Sequence, residues 1–281
     1  MTTKPPPMMD LFKPVVAEEE FHHNFRATIK SNATGVRDTL SSWADGFVDR
    51  DGKFVEEFQT TYNSSFWELY LFAALKYLGI KVDFSYDAPD FVAKDHLFAI
   101  EAAIASHAQD DMPEWEKTLA GVVDMNIEAA QVQSTIRLSN TMLGKSEAYK
   151  KRYATLPHMT DRAYVIAIAN YGRQDFNLLG DVAMQDLLYD ASDKKEVHKS
   201  NGSPVPLGLF RSDAYSHISA VIFSCVATFG KARALGADDG EFIFHATRIR
   251  DSVEPIRIVA RRADYKESLT DGYEPIRIDS N

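Results

Sequence analysis

PDFVAKDHLFAIEAAIA, Pro89 to Ala105, decides how the chain is read. DFVA and LFAIEAAIA have strand composition and flank a polar turn that begins at Lys94. Side chains alternate between the two faces of a strand, so the length of that turn settles whether Asp90 and Glu101 meet. A two-residue turn, Lys94-Asp95, sets Asp90 opposite Ala99, with Glu101 two places further along the same face. A four-residue turn, Lys94 to Leu97, sets the two acids directly opposite each other. A three-residue turn parts them. Glu101 interrupts an apolar run, and a charge there needs a partner. Two carboxylates so close repel, and one takes up a proton unless a cation neutralises them. The pattern therefore points to a divalent metal, Mg2+ (or Mn2+), which takes oxygen ligands from one or two carboxylates, water and a phosphate. The plainer reading is an Asp90 that merely follows Pro89 in a turn, with Glu101 in a salt bridge at a sheet edge.

Outward from this stretch, SSFWELYLFAALKYLGI, Ser64 to Ile80, is apolar nearly all round and predicts a buried helix stopped by Gly79. KVDFSYD, Lys81 to Asp87, alternates and predicts a strand. From Gln131 to Pro157 the spacing of Val132, Ile136, Leu143 and Tyr149 predicts a helix. AYVIAIA, Ala163 to Ala169, and ISAVIFSCVA, Ile218 to Ala227, are continuous apolar runs of the kind found in sheets covered on both faces. A helix from Asp175 to Asp190 and a long polar loop are expected between them. The start, with Pro5 to Pro7, reads as a loose tail, followed by weakly helical sequence up to the DRDGK turn, Asp49 to Lys53. EPIRI occurs at Glu254 and again at Glu274; two copies could form a paired hairpin but fall short of the three units a repeat architecture needs, and the match is taken as chance or local strand similarity.

The expected architecture is one α/β domain, a mixed central sheet flanked by helices. Residues 1–60 form an N-terminal helical extension, and residues 61–230 form the core with an insertion at about 172–215. Residues 231–281 form an appendix packed on the core. With 281 residues, 45% hydrophobic and 26% charged, the chain can bury a sizeable interior. No apolar run reaches the roughly 18 residues of a membrane span, and the start lacks the pattern of a secretion signal. Cys225 stands alone, which excludes a disulfide framework or a cysteine-rich zinc site and fits a reducing cytoplasm. The net charge of −10 argues against a surface that attracts nucleic acid everywhere. Residues 1–130 carry 11 basic and 22 acidic side chains, residues 131–281 carry 20 and 19, so a polyanion would lean on the second part. Clusters there are Lys150 to Arg152, Asp193 to Lys195 and Ala260 to Arg262, each of which also reads as a solvated face.

The succession FWELYLFAALKYLGI, PDF, IEA, a helix with Arg137 and Lys145, YVIAIA and HISAVIF resembles the PD-(D/E)XK, or restriction-endonuclease-like, nuclease superfamily over roughly Ser64 to Ser224. The resemblance implies a Mg2+-dependent nuclease acting on nucleic acid, with DNA the expected substrate, in restriction, repair or phage defence. It implies Asp90 and Glu101 as metal ligands and catalytic residues, with Glu68 on the first core helix assisting. Glu68 also fits a capping box with Ser65. The superfamily pattern continues Glu-x-Lys, and here the third place is Ala103, which can neither orient water nor offset charge on phosphate. Arg137, Thr141 and Lys145 recur at i, i+4 and i+8 on the following helix as one polar stripe. Lys145 is the expected replacement for the absent lysine, and Arg137 and Thr141 are the expected phosphate contacts. The bland alternative is a solvated basic face. Gly144, costly inside a helix, suggests a close approach there.

His22, His23, His96, His107, His158, His198 and His245 lack the spacing of metal ligands, His217 is expected near the site without a catalytic role, and Asp110-Asp111 read as an acidic loop. No GxxxxGKS, GxGxxG or GxSxG is present. Two rivals stand beside the nuclease. One is a catalytically silent nuclease-like fold serving as a nucleic-acid or protein interaction module, and the other is a small-molecule hydrolase. A homodimer is left open, and no membrane partner is expected.

Overall fold

The computed structural model describes residues 9–30, 34–108, 111–116, 126–173, 176–192, 196–228 and 232, and the backbone of three further strands within 241–277. Helices α1 (His23–Lys30), α2 (Thr34–Ala44), α3 (Phe54–Thr60) and α4 (Asn63–Tyr77) precede the sheet. Then follow β1 (Phe91–Val92), β2 (Phe98–Ser106), α5 (Ile127–Lys151), β3 (Ala163–Tyr171), α6 (Val182–Tyr189) and β4 (Ala220–Ser224). β1 pairs antiparallel with β2, while β2, β3 and β4 run parallel, so the architecture is a four-strand mixed sheet with flanking helices. The backbone of β5 (Glu241–Arg248), β6 (Ile256–Arg261) and β7 (Ile276–Arg277) continues the sheet antiparallel beyond β4.

Strand alternation sorts the core into two layers. Ile100 and Ala102 of β2, with Val165, Ala167 and Ala169 of β3, pack towards α4 and the N-terminal helices. Ala99, Ala103 and Ala105, with Tyr164, Ile166 and Ile168, pack towards α5 and α6. Both faces of the sheet are thus covered, which explains why β3 is apolar at every position from Tyr164 to Ala169. α4 is buried almost all round, and the Trp67 indole N–H donates to Ala167 O at 3.0 Å, fastening the helix to the sheet. Its end follows from Gly79, whose φ of +73° lets Gly79 N–H reach Lys76 O (3.1 Å) and Ile80 N–H reach Leu75 O (2.9 Å).

The first sixty residues share the α4 core rather than standing apart from it. Leu11, Phe21, Phe25, Val36 and Leu40 are buried with Phe58 and Phe66. Buried Gln59 anchors the chain start: its amide N donates to Lys13 O (2.8 Å) and Leu11 O (3.3 Å), and its carbonyl accepts Val15 N–H (3.0 Å). The expected insertion also contributes to the interior, through Leu187, Val197, Val205 and Leu209.

Several expectations are corrected. KVDFSYD is no strand: only Val82 bridges Ala93, and the rest turns. Its alternation is a poor guide because the segment finds too few strand partners. The helix expected from Asp175 begins at Val182 and ends at Tyr189. Val132, Ile136 and Leu143 of α5 are only half-buried, and the buried positions are Ala130, Ser134, Thr135, Leu138, Ser139, Met142 and Ser146. Small hydroxyl side chains there allow the helix to lie close on the sheet, which hides its inner face from a hydrophobic pattern. The two EPIRI copies contribute strands that pair with each other, Ile256 opposite Arg277 and Arg257 opposite Ile276, so the match is neither idle nor a repeat. Pro5 to Pro7, Asp110 and the Asp193 to Lys195 cluster lie outside the described residues, as do the side chains of Ala260 to Arg262.

A Cβ added to Gly144 would meet nothing within 4 Å, so no close approach explains this glycine. Gly144→Ala should raise the unfolding free energy by about 0.5–1 kcal/mol, the helix-propensity difference, as read by urea denaturation.

Candidate active site

The hairpin β1–β2 adopts the four-residue turn. Phe91 pairs with Ile100, Val92 with Ala99, and Ala93 N–H donates to Phe98 O at 3.1 Å, which places Asp90 opposite Glu101. Both acids then lie on the face of the sheet that α5 covers. Ala102 N–H donates to Asp90 Oδ2 at 2.7 Å, so the strand backbone itself aims the aspartate. Arg50 adds a second hold, with Nη2 3.8 Å from Asp90 Oδ1 and Nη1 donating to Tyr86 O at 2.6 Å.

Glu101 is 4% exposed. Its partners both use one oxygen: Lys145 Nζ donates to Oε1 at 2.6 Å, and the Tyr153 hydroxyl donates to the same atom at 3.1 Å. Oε2 has no hydrogen bond from the described residues and is not among the buried atoms lacking one, so it keeps contact with solvent. Lys145 reaches this position because the polar stripe of α5 lies along β2. Arg137 Nε donates to Ser106 O (2.6 Å) and its Nη2 to His107 O (3.1 Å), Thr141 Oγ1 to Ile104 O (3.3 Å), and Lys145 to Glu101. The stripe borders the buried face of the helix and ties it to β2. Ala103, on the same strand face as Glu101, leaves room for the ammonium group, and Ala103 and Lys145 line one cleft of 610 Å³.

Glu68 enters the same cleft from α4, alongside Asp90, Asn140 and Thr141. α4 begins at Asn63 with no side-chain cap, so the capping box of Ser65 and Glu68 does not form. Among the described residues Glu68 makes no hydrogen bond or ion pair. Burial, then repulsion from Asp90 and Glu57, pushes its carboxyl up to about 8. Asp90 is raised to about 6 by burial and by Glu101, against the opposing pull of Ala102 N–H, Lys145 and Arg50. Burial and the neighbouring Glu101 charge likewise push the Tyr153 hydroxyl above its ordinary range, so it remains a donor.

The sequence reading missed Arg50 and Tyr153. Arg50 lies forty residues before Asp90 in a segment read only as a turn, and Tyr153 follows the end of α5, where helical periodicity says nothing. The histidines are scattered between other roles. His22 and His107 meet Trp115 edge to face and His23 stacks on it, His158 Nε2 lies 2.7 Å from Ala88 O, and His217 Nε2 lies 2.9 Å from Ser146 Oγ. His245 is in β5, whose side chains lie outside the described residues.

The donor set is made of carboxylate oxygens, which suits Mg2+ or Mn2+ rather than zinc. Among the described residues no three His, Cys, Asp or Glu side chains converge enough to hold an ion alone. Mg2+ needs only one or two carboxylates when water and substrate phosphate complete its shell. No helix among the described residues is long and apolar enough to cross a membrane. The chain matches no family model, no curated protein and no solved structure.

A carboxyl raised above its unfolded value binds more protons in the native state, so its contribution to stability is present at low pH and is lost as pH rises towards the native value. For Glu68 that window runs from 4.5 to about 8, and for Asp90 from 3.8 to about 6. Without divalent ions, melting temperature should therefore fall as pH rises through 6 to 8, and Glu68→Gln should flatten the upper half of that slope. An unchanged slope in the variant would show that Glu68 is not the titrating group.

Proposed function

We propose that the chain is a divalent-metal-dependent nuclease of restriction-endonuclease-like fold that hydrolyses phosphodiester bonds, with DNA as its expected substrate. The observation that carries this reading is Lys145 Nζ at 2.6 Å from Glu101, beside Ala103, at a cleft that also holds Asp90 and Glu68. The order α4, the antiparallel β1–β2 hairpin, α5 and parallel β3 supports it as well.

In this reading Asp90 and Glu101 hold Mg2+ or Mn2+ and Glu68 assists. When bound, the ion neutralises the carboxylates, polarises the phosphate and eases ionisation of the attacking water. Each protein group has its own task. Ala102 N–H and Arg50 keep Asp90 in place, and the Tyr153 hydroxyl and Lys145 fix Glu101 through Oε1, which leaves Oε2 without a hydrogen bond among the described residues. Lys145 is 32% exposed, so its ammonium group also reaches the cleft, where it can orient water and offset negative charge building on phosphate. Glu68 loses its proton to act, which couples metal binding to pH. Arg137 and Thr141 support the reading less: the hydrogen bonds that tie them to β2 and His107 carbonyls serve packing, and a phosphate contact would use the donors of Arg137 that remain.

The Lys145–Glu101 pair also favours a second reading, a silent nuclease-like fold in which the two charges simply satisfy each other. A plasmid-nicking assay separates the two. The nuclease reading predicts strand scission with Mg2+ or Mn2+, loss with EDTA, and a fall of about 10²-fold or more in Asp90→Ala and in Lys145→Met. Activity should rise with pH as Glu68 and Asp90 ionise. Scission that persists in Asp90→Ala, or none with either metal, sinks the proposal.

A further inference from the structure

Tyr153 has two sides. Its hydroxyl bonds Glu101, and its ring helps line a second cleft, of 330 Å³, whose other walls include Tyr86, His158, Leu156, Arg152 and Asp87. The Tyr86 and His158 rings stack with centroids 4.0 Å apart and planes 21° from parallel. His158 Nε2, 2.7 Å from Ala88 O, ties that stack to the segment that delivers Asp90. Arg152 supplies the positive charge of this cleft: its guanidinium lies 5.6 Å from the Tyr153 ring centre, and the residue is exposed and joins no ion pair among the described residues.

We propose that this second cleft is a nucleotide subsite that receives one unpaired base beside the scissile phosphate, so that the substrate is single-stranded or frayed where it is cut. The proposal rests on the nuclease reading above and deepens it by naming the substrate form. A cleft of 330 Å³ lies at the small end of ligand sites, which run from about 300 to 1,000 Å³. Aromatic rings take bases of any sequence, because every base offers a π face. An exposed guanidinium at the same place, over the Tyr153 ring, matches a phosphate oxygen pair. Asp87, exposed in the lining, disfavours a phosphate beside it, which leaves Arg152 to receive the backbone while the base enters. A base held in a duplex would have to leave its stack to do so.

The test measures binding and cutting separately, with the full chain. Binding of a labelled single-stranded oligodeoxynucleotide, and of the same sequence fully paired, is read by fluorescence anisotropy in an Asp90→Asn background. Tyr86→Ala and Arg152→Gln should each weaken single-strand binding about tenfold and leave paired binding unchanged, while Tyr86→Phe keeps both. Equal losses on both forms, or no loss on the single strand, overturn the subsite. If the protein with Asp90 intact cuts neither form while the selective binding loss persists, the catalytic reading fails and the subsite stands. If it cuts paired DNA as fast as single strands, with Tyr86→Ala unaffected, the catalytic reading stands and the subsite falls.

Discussion

A carboxylate in the middle of an apolar strand has to be matched by donors, and Glu101 is the point on which the site depends. Removing a charge from water costs several kcal/mol, and the loss is offset only where hydrogen bonds and an opposite charge are close by. Lys145 and Tyr153 supply both on one oxygen. This requires α5 to lie close to β2, which the small side chains Ala99, Ala103 and Ala105 on one side and Ser134, Ser139 and Ser146 on the other permit. A bulkier residue at Ala103 would push the ammonium group away from the carboxylate. The same closeness brings Arg137 and Thr141 onto the carbonyls at the end of β2, so one helix face serves both packing and charge.

The second carboxylate is governed by backbone geometry. Asp90 stands just before β1, and its Oδ2 takes the N–H of Ala102 on the neighbouring strand. That bond favours the charged form, while burial and Glu101 oppose it, and the balance lies on the protonated side of its ordinary value. Among the described residues Glu68 has no donor to help it, and it is raised further. Glu68 and Asp90 thus share one cleft with their carboxyls both raised, while Lys145 and Arg50 bring positive charge to Glu101 and Asp90.

Much of this was legible from residue order. The alternation of DFVA and LFAIEAAIA placed Asp90 and Glu101 on one face for either of two turn lengths, and the spacing of Arg137, Thr141 and Lys145 put them on one side of a helix. The apolar run of β3 announced a strand covered twice. The inner face of α5 was not legible, because Ser134, Ser139 and Ser146 there carry no hydrophobic signal. Nor was the anchoring of the chain start by Gln59, since a lone glutamine in a helix gives no sign that it will be buried.

Local sequence by itself determined most of the elements, a shared face for the two acids under either even turn length, and the side of the helix from which a lysine could come, because these follow from periods of two and 3.6 residues. Tertiary structure alone decided which turn length β1–β2 adopts, that Lys145 closes on Glu101, and that Arg50 and Tyr153 join the site. Those choices depend on contacts between residues tens of positions apart, and no local period encodes the distance between side chains that only packing brings together.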